Sequence, residues 1–173
     1  MRRLLTAPSP KLLRLITLGA LPFTVGFFLF FRVHDRPLAP YTIVDYELAR
    51  TPARAGQLLG AWGAAGQQTA RESLYIDFGF MPAYALFFAG LTLLAARASA
   101  GRVQTLGLWL SHGPFGSWLC DGIENISLLA VLSNPGNAFA LTLAGWCAAV
   151  KFALLLLCLL YWPAGFLAGR LRR

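Results

Sequence analysis

The sequence predicts an all-α, polytopic membrane protein, a four-transmembrane-helix bundle with a helical outer loop between the first and second spans. Two observations predict this class. Hydrophobic residues make up 57% of the 173 residues, and charged residues only 13%, where a soluble domain carries about 25%. The basic residues also flank apolar runs instead of clustering on one polar face. This composition excludes a disordered tail, a basic nucleic-acid-binding arm and most soluble folds.

Each span is defined by the length of an apolar run. A helix needs about 20 apolar residues to cross a hydrocarbon core about 30 Å thick. We therefore predict one integral membrane domain over residues 1–173, with spans at about 12–33, 73–96, 103–132 and 138–162. The first run ends in a phenylalanine-rich stretch without a small-residue cleavage site, so we interpret it as an uncleaved anchor. An Asn-Pro-Gly turn at 134–136 separates the last two spans.

The outer loop, residues 34–72, is too long to be a simple connector. Thr51 and Pro52 predict a helix start, with threonine as N-cap and proline at the first helical position. Leu58, Leu59 and Trp62 then recur at helical spacing. Two interpretations remain open: an amphipathic helix on the outer leaflet with Trp62 at the headgroups, or a cap packed on the outer end of the bundle.

The distribution of basic residues predicts the orientation. Cytoplasmic segments of membrane proteins carry an excess of Lys and Arg. The two termini and the loop between spans two and three carry basic residues without acidic ones, whereas residues 32–72 carry both signs. Both termini are therefore predicted to be cytoplasmic, in the inner (plasma) membrane. The basic residues in question are Arg2, Arg3, Lys11, Arg14, Arg97, Arg102, Arg170, Arg172 and Arg173.

Polar residues inside the spans are the candidates for function. Asp121, Glu124 and Asn125 follow an i, i+3, i+4 spacing, which places them on one face of span three. Charged groups within a span usually face the bundle interior or a water-filled cavity. Asp77, one turn into span two, is expected in the same outer half. Depth counted from the turn at 134–136 places Lys151 near Asp121, which predicts an ion pair between them.

Two interpretations of this cluster compete. One is a buried network that fixes the register of the helices. The other is a pocket in which carboxyl groups transfer protons and aromatic rings form apolar walls. Three carboxyl groups against one ammonium group leave an excess of negative charge, which favours the pocket. The candidate catalytic residues are Asp77, Asp121 and Glu124, and the candidate binding residues are Asn125, Trp118, Trp146, Lys151, His112 and Tyr84.

His112 precedes Gly113 and Pro114, where the missing proline amide is expected to kink span three. A hydrogen-bonded structural role is the alternative to a functional one for this histidine.

We predict no metal and no cofactor, because the Glu-x-x-His spacing of helical-bundle metal sites is absent. The three cysteines also lie in apolar stretches without ligand spacing. No P-loop, nucleophile elbow or dinucleotide fingerprint occurs.

Three functions are consistent with these features. The first is an outward-facing, carboxylate-lined intramembrane pocket that binds or acts on a lipid-like small molecule. The second is an accessory or structural subunit of a larger membrane complex. The third is a proton-linked transporter, which would require a homo-oligomer because four spans enclose little volume.

The expected partners are a membrane lipid or lipid-like ligand and a membrane protein or second copy of the chain, with no nucleic acid. Whether the protein is an enzyme is left open.

Two motifs resemble a known group of sequences. Asp77-(x4)-Pro82-x-Tyr84 in span two and Asp121-x-x-Glu124-Asn125 in span three resemble an uncharacterised family of bacterial four-span membrane proteins. The resemblance covers roughly residues 44–160. It implies the four-span fold and no catalytic assignment.

A more distant similarity is to the EXPERA group, which includes the emopamil-binding sterol isomerases and the sigma-2 receptor. The shared features are a long first outer loop and an acidic residue before a proline and an aromatic residue in span two. This resemblance implies an intramembrane pocket in which carboxyl groups and aromatic rings contact sterol-like, often cationic ligands. The carboxyl pair of span three departs from that layout, so the resemblance carries over no substrate.

Overall fold

The structure is a computed structural model that describes residues 2–170. It is 88% helical, and the described residues contain no strand, which confirms the all-α prediction. Arg172 and Arg173, which contributed to the predicted orientation, lie outside the described residues. The helices are α1 (Pro10–His34), α2 (Ile43–Glu47), α3 (Pro52–Ala98), α4 (Gly101–Leu110), α5 (Gly113–Ser133) and α6 (Ala138–Arg170).

Four stretches of the described chain are long and apolar enough to cross a membrane: Pro10–His34, Pro52–Ala98, Gly101–Ser133 and Ala138–Arg170. Each contains one of the four predicted spans, and the second begins at Pro52 instead of near residue 73 because the outer-loop helix is continuous with it. The last helix extends beyond the predicted end near residue 162, because it continues through Pro163 to Arg170.

The predicted helix start in the outer loop is confirmed. Helix α3 begins at Pro52, and the Thr51 hydroxyl accepts a hydrogen bond from the Arg54 amide at 3.3 Å. The helix is not regular throughout, because Gly63 has φ 58° and ψ −170°. A positive φ of this kind favours glycine. The outer-loop helix and the second span are therefore joined through a single non-helical residue.

The predicted interruption of span three is also confirmed. Helix α4 ends at Leu110, and α5 begins at Gly113 with Pro114 in its first turn, where the missing amide breaks no helical hydrogen bond. The turn between α5 and α6 closes on Asn137, whose Oδ1 accepts a hydrogen bond from the Ala140 amide at 3.0 Å.

The described residues form two compact units. The first unit comprises Met1–Thr24, Pro82–Trp118 and Lys151–Arg173, and the second comprises Val25–Met81 and Leu119–Val150. All seven acidic residues of the sequence belong to the second unit, whereas eight of the thirteen basic residues within 2–170 belong to the first. The assignment of the whole chain to one integral membrane domain stays a prediction.

The outer loop forms a packed cap within the second unit. Trp62 is buried in a cluster with Leu58, Leu128 and Leu141. Its indole nitrogen donates a 2.7 Å hydrogen bond to the Leu38 carbonyl. Of the two interpretations of the loop, the cap is therefore correct. The placement of Trp62 at the headgroups was wrong, because the indole N–H finds its acceptor inside the protein.

Candidate functional site

The polar face of α5 has the geometry that its spacing predicts. The side chains of Asp121, Glu124 and Asn125 are 2%, 0% and 1% exposed. The intervening Ile123 and Ile126 are 38% and 63% exposed. Three polar residues therefore occupy the buried face of a helix whose outer face is apolar, the reverse of the pattern in a water-soluble helix. The prediction that these residues share one buried face is confirmed.

Asn125 connects this face to α3. Its Nδ2 donates to the Leu74 carbonyl at 3.2 Å and to Asp77 Oδ2 at 2.8 Å. Both partners supply acceptor oxygens, so the amide nitrogen must face α3 and the amide oxygen must face away. The structure therefore brings Asp77 into contact with the α5 cluster, as predicted. All these residues belong to the second unit.

The other side-chain atom of Asn125 is a buried acceptor. Its Oδ1 is shielded from solvent and accepts no hydrogen bond from any residue that the structure describes. A buried polar atom left without a partner costs about 1–3 kcal/mol. A hydroxyl, ammonium or water donor at this atom would recover that free energy. The polar face of α5 thus offers one acceptor to a donor from outside the described chain.

Lys151 belongs to the first unit and is buried. Its main-chain carbonyl accepts a 3.3 Å hydrogen bond from the Ser117 hydroxyl, which ties α5 to α6 within that unit. Its Nζ lies 4.8 Å from the centroid of the Phe152 ring. The Asp121–Lys151 ion pair stays a prediction.

The two tryptophans proposed as pocket walls are both exposed. Trp146 in the second unit is 62% exposed, and the Arg50 guanidinium carbon lies 5.4 Å from its ring centroid. Trp118 belongs to the first unit. Their role as walls of a pocket stays a prediction.

His112 and Tyr84 also belong to the first unit. The His112 Nδ1 lies 3.1 Å from the Leu108 carbonyl, one turn earlier, so Nδ1 carries a proton. His112 is exposed, whereas Tyr84 is buried. The hydrogen bond to Leu108 supports the structural role for His112 that the sequence left open.

The second unit contains a further polar contact, between Ser73 and Asp35, that the sequence did not predict. The Ser73 hydroxyl donates a hydrogen bond to Asp35 Oδ1, which joins the start of the outer loop to α3. Burial raises the pKa of Asp35, and this effect is partly offset by the Ser73 hydrogen bond and by the His34 charge. The neighbouring His34 Nε2 and Glu72 Oε2 are 3.8 Å apart. No local spacing links residues 35 and 73, so the sequence alone gave no signal for this contact.

Arg50 makes another contact that was not predicted. It has a positive φ of 54°, and its Nη2 lies 3.5 Å from the Gly145 carbonyl oxygen. A Cβ at Gly145 would lie 2.5 Å from Arg50 Cγ. The sequence signal was present, because Gly145 stands in a run of small residues, but such a run is also typical of close helix packing.

Comparison with family models, with curated proteins and with solved structures gives no match for this chain. Both sequence resemblances therefore stay expectations. Across residues 2–170, no group of three or more His, Cys, Asp or Glu side chains has an arrangement that could hold a metal ion.

Proposed function

We propose that this chain is an integral protein of the inner membrane that binds a lipid-like small molecule at an outward-facing, carboxylate-lined site. In this proposal, the four apolar stretches cross the membrane as a four-helix bundle with both termini in the cytoplasm. The segregation of basic residues supports this orientation, since the described part of the first unit contains eight basic residues and no acidic residue.

The single observation that carries the proposal is the buried Oδ1 of Asn125, which accepts no hydrogen bond within the described chain. It stands on the same buried face as Asp121 and Glu124, and the Asn125 amide group contacts Asp77. Acceptor oxygens dominate this face, so the ligand is expected to have a hydroxyl or ammonium head. Its body is expected to be apolar, because Leu119, Ile123 and Ile126 are exposed apolar side chains of the same helix.

The chemistry open to this site is proton transfer. A carboxyl group within hydrogen-bond distance of a bound head group can act as a general acid or base, which typically accelerates a reaction 10²–10⁴-fold. Asp77, Asp121 and Glu124 are the candidates for that role. Binding alone requires only that these groups accept hydrogen bonds.

Thermal stabilisation by ligand tests the proposal. A ligand at about 100 times its Kd stabilises the folded state by about 2.7 kcal/mol. We expect a lipid extract of a bacterial inner membrane to raise the Tm of the wild type in mild detergent more than that of the Asp121→Asn/Glu124→Gln variant. Glu72→Gln, which removes an exposed carboxylate outside the cluster, is the matched control and should respond like the wild type. Equal Tm increases in all three proteins would contradict the proposal.

A second candidate function is that of an accessory subunit, and the exposure of α1 favours it. In the apolar segment of α1, only 17% of the residues are buried, whereas 33–44% are buried in the corresponding segments of the other three stretches. Leu15, Leu18 and Phe23 are among its exposed side chains. Either lipid or a partner span would cover this face. A second polypeptide that co-purifies stoichiometrically in mild detergent supports the subunit, and a stable monomer argues against it. Crosslinked multimers of the chain itself would instead favour the oligomeric transporter.

A further inference from the structure

The first unit contains an apolar cavity of about 210 Å³ that the proposed function does not use. Leu13 lines it from α1, Ala89 and Leu93 line it from α3, and Phe115 lines it from α5. At about 30 Å³ per water molecule, the cavity has the volume of about seven waters. A cavity with apolar walls stays dry or takes up apolar molecules. What reaches it therefore depends on the segments that form its walls.

One wall of this cavity is formed by the segment that precedes α1. We name residues 3–9 the strap. Leu4 and Pro8 line the cavity and are half-buried, whereas the other five residues of the strap are exposed. The strap therefore lies over the cavity, with two side chains turned inward and the rest of its surface uncovered by the described chain.

Arg97, near the end of α3, holds the strap in this position. Its Nε donates a hydrogen bond to the Leu4 carbonyl at 2.8 Å, and its Nη1 donates one to the Pro8 carbonyl at 2.9 Å. These are the two strap residues that line the cavity. The planar fork of the guanidinium group makes this double contact possible, because it carries several donors in a fixed geometry. A single side chain thus fixes both ends of the wall.

The contact between Arg97 and the strap has a cost as well as a gain. Arg97 Nη2 is shielded from solvent and donates no hydrogen bond to any residue within 2–170. A buried donor without an acceptor loses free energy, which contact with water would recover on opening. The strap also keeps a turn of its own, since the Ala7 amide donates to the Arg3 carbonyl at 2.7 Å. Such a segment can leave the cavity without losing its local structure.

We propose that the strap is a gate, held shut by Arg97, that closes one side of the apolar cavity. Breaking the two Arg97 hydrogen bonds frees Leu4 and Pro8 from the wall and opens the cavity to water and to solutes. The closed gate keeps the cavity dry and suited to an apolar occupant. This gate is independent of the proposed function, which is carried by Asn125 in the second unit.

Cysteine accessibility in the full chain in mild detergent tests the gate. Ala89→Cys places a thiol on the cavity wall, and its reaction with a negatively charged, water-soluble methanethiosulfonate reagent measures access from water. Mass spectrometry of the digested chain reports the reaction at residue 89 alone, so the native cysteines stay in place. We expect Ala89→Cys/Arg97→Gln to react about tenfold faster than Ala89→Cys, because local opening then costs less. Loss of a positive charge would slow an anionic reagent, so charge cannot explain a faster reaction.

Two controls separate the gate from general loosening of the fold. Arg102→Gln removes an exposed basic residue of the same unit and should leave the reaction of Ala89→Cys unchanged. Ser9→Cys, on the exposed side of the strap, should react equally fast with and without Arg97→Gln. If Arg97→Gln does not fold, Leu4→Ala decides the question, because it removes a strap side chain from the wall and should also speed the reaction. Fast reaction of Ala89→Cys with Arg97 in place, or no acceleration on its replacement, would overturn the proposal.

Discussion

The Nδ2 of Asn125 donates a 2.8 Å hydrogen bond to Oδ2 of Asp77, and this bond joins α5 to α3 across 48 residues of sequence. The same nitrogen also donates to the main-chain carbonyl of Leu74. Interhelical hydrogen bonds of this kind contribute about 0.6–2 kcal/mol each within a membrane. The amide of Asn125 therefore holds α5 to α3 and leaves its oxygen buried without a hydrogen bond from the described residues.

The first prediction concerns this connection. Asn125→Leu removes both hydrogen bonds that Asn125 Nδ2 donates. The Leu74 carbonyl and the Asp77 carboxylate each lose this donor. We expect a loss of about 1–3 kcal/mol and a decrease in Tm of about 2–12 °C. Near-ultraviolet circular dichroism during heating in detergent measures it. Ser133→Ala, on the exposed side of the same helix, is the control and should change Tm by less than about 2 °C. Equal effects of the two substitutions would show that the connection does not stabilise the fold.

The second prediction concerns the outer cap. Trp62→Ala removes a buried ring and the hydrogen bond to the Leu38 carbonyl, so we expect a destabilisation of about 3–5 kcal/mol. Trp109→Ala removes a ring that is 65% exposed, and it should cost less than about 1 kcal/mol. Denaturant unfolding of both variants gives the comparison. A cap that only rests on a lipid leaflet would predict similar, small losses for the two.

The third prediction concerns pH and Asp35. Because burial raises the pKa of Asp35 in the folded chain, its ionisation opposes folding. The penalty is absent below the unfolded value of 3.8, grows as the pH rises through the folded pKa, and is complete above it. Asp35→Asn keeps an acceptor for the Ser73 hydroxyl and lacks the charge. The variant should therefore be more stable than the wild type at pH 7, with the difference vanishing below about pH 3.8. Tm measured across this range tests it, and a difference that does not vary with pH would contradict it.

The fourth prediction concerns Arg50 and Gly145. In Gly145→Val, the new Cβ would lie 2.5 Å from Arg50 Cγ, so the valine side chain and the Arg50 side chain would compete for the same space. We expect Gly145→Val and Arg50→Ala to destabilise the chain through the same lost contact. In a double-mutant cycle, the free energy of unfolding lost by the combined variant should then be smaller than the sum of the two single losses. We expect a difference of at least about 0.5 kcal/mol. Strict additivity would mean that the two residues do not stabilise each other.

Local features of the fold followed from the sequence. Thr51 and Pro52 marked a helix start, Gly113 and Pro114 marked a break, and the spacing of Asp121, Glu124 and Asn125 defined a buried face. Each of these depends on residues within about one or two helical turns of each other. Such patterns specify the direction in which a side chain points, because helical geometry fixes it.

The contacts between helices did not follow from the sequence. Trp62 fits an amphipathic pattern whether it meets headgroups or protein, and only its hydrogen bond to the Leu38 carbonyl decides between them. The Ser73–Asp35 contact and the Arg50–Gly145 contact join residues 38 and 95 positions apart. Periodicity within one helix contains no information about the partner that a side chain meets on another.

Native mass spectrometry of the wild type beside Asp121→Asn/Glu124→Gln and Asn125→Leu tests the central claim most directly. The proteins are released from gentle detergent after purification from their membrane. The account predicts a lipid-sized adduct with a hydroxyl or ammonium head on the wild type, and its loss from both variants while they stay folded. The same adduct at the same occupancy on all three proteins would contradict the account and leave the polar face of α5 as a purely structural network.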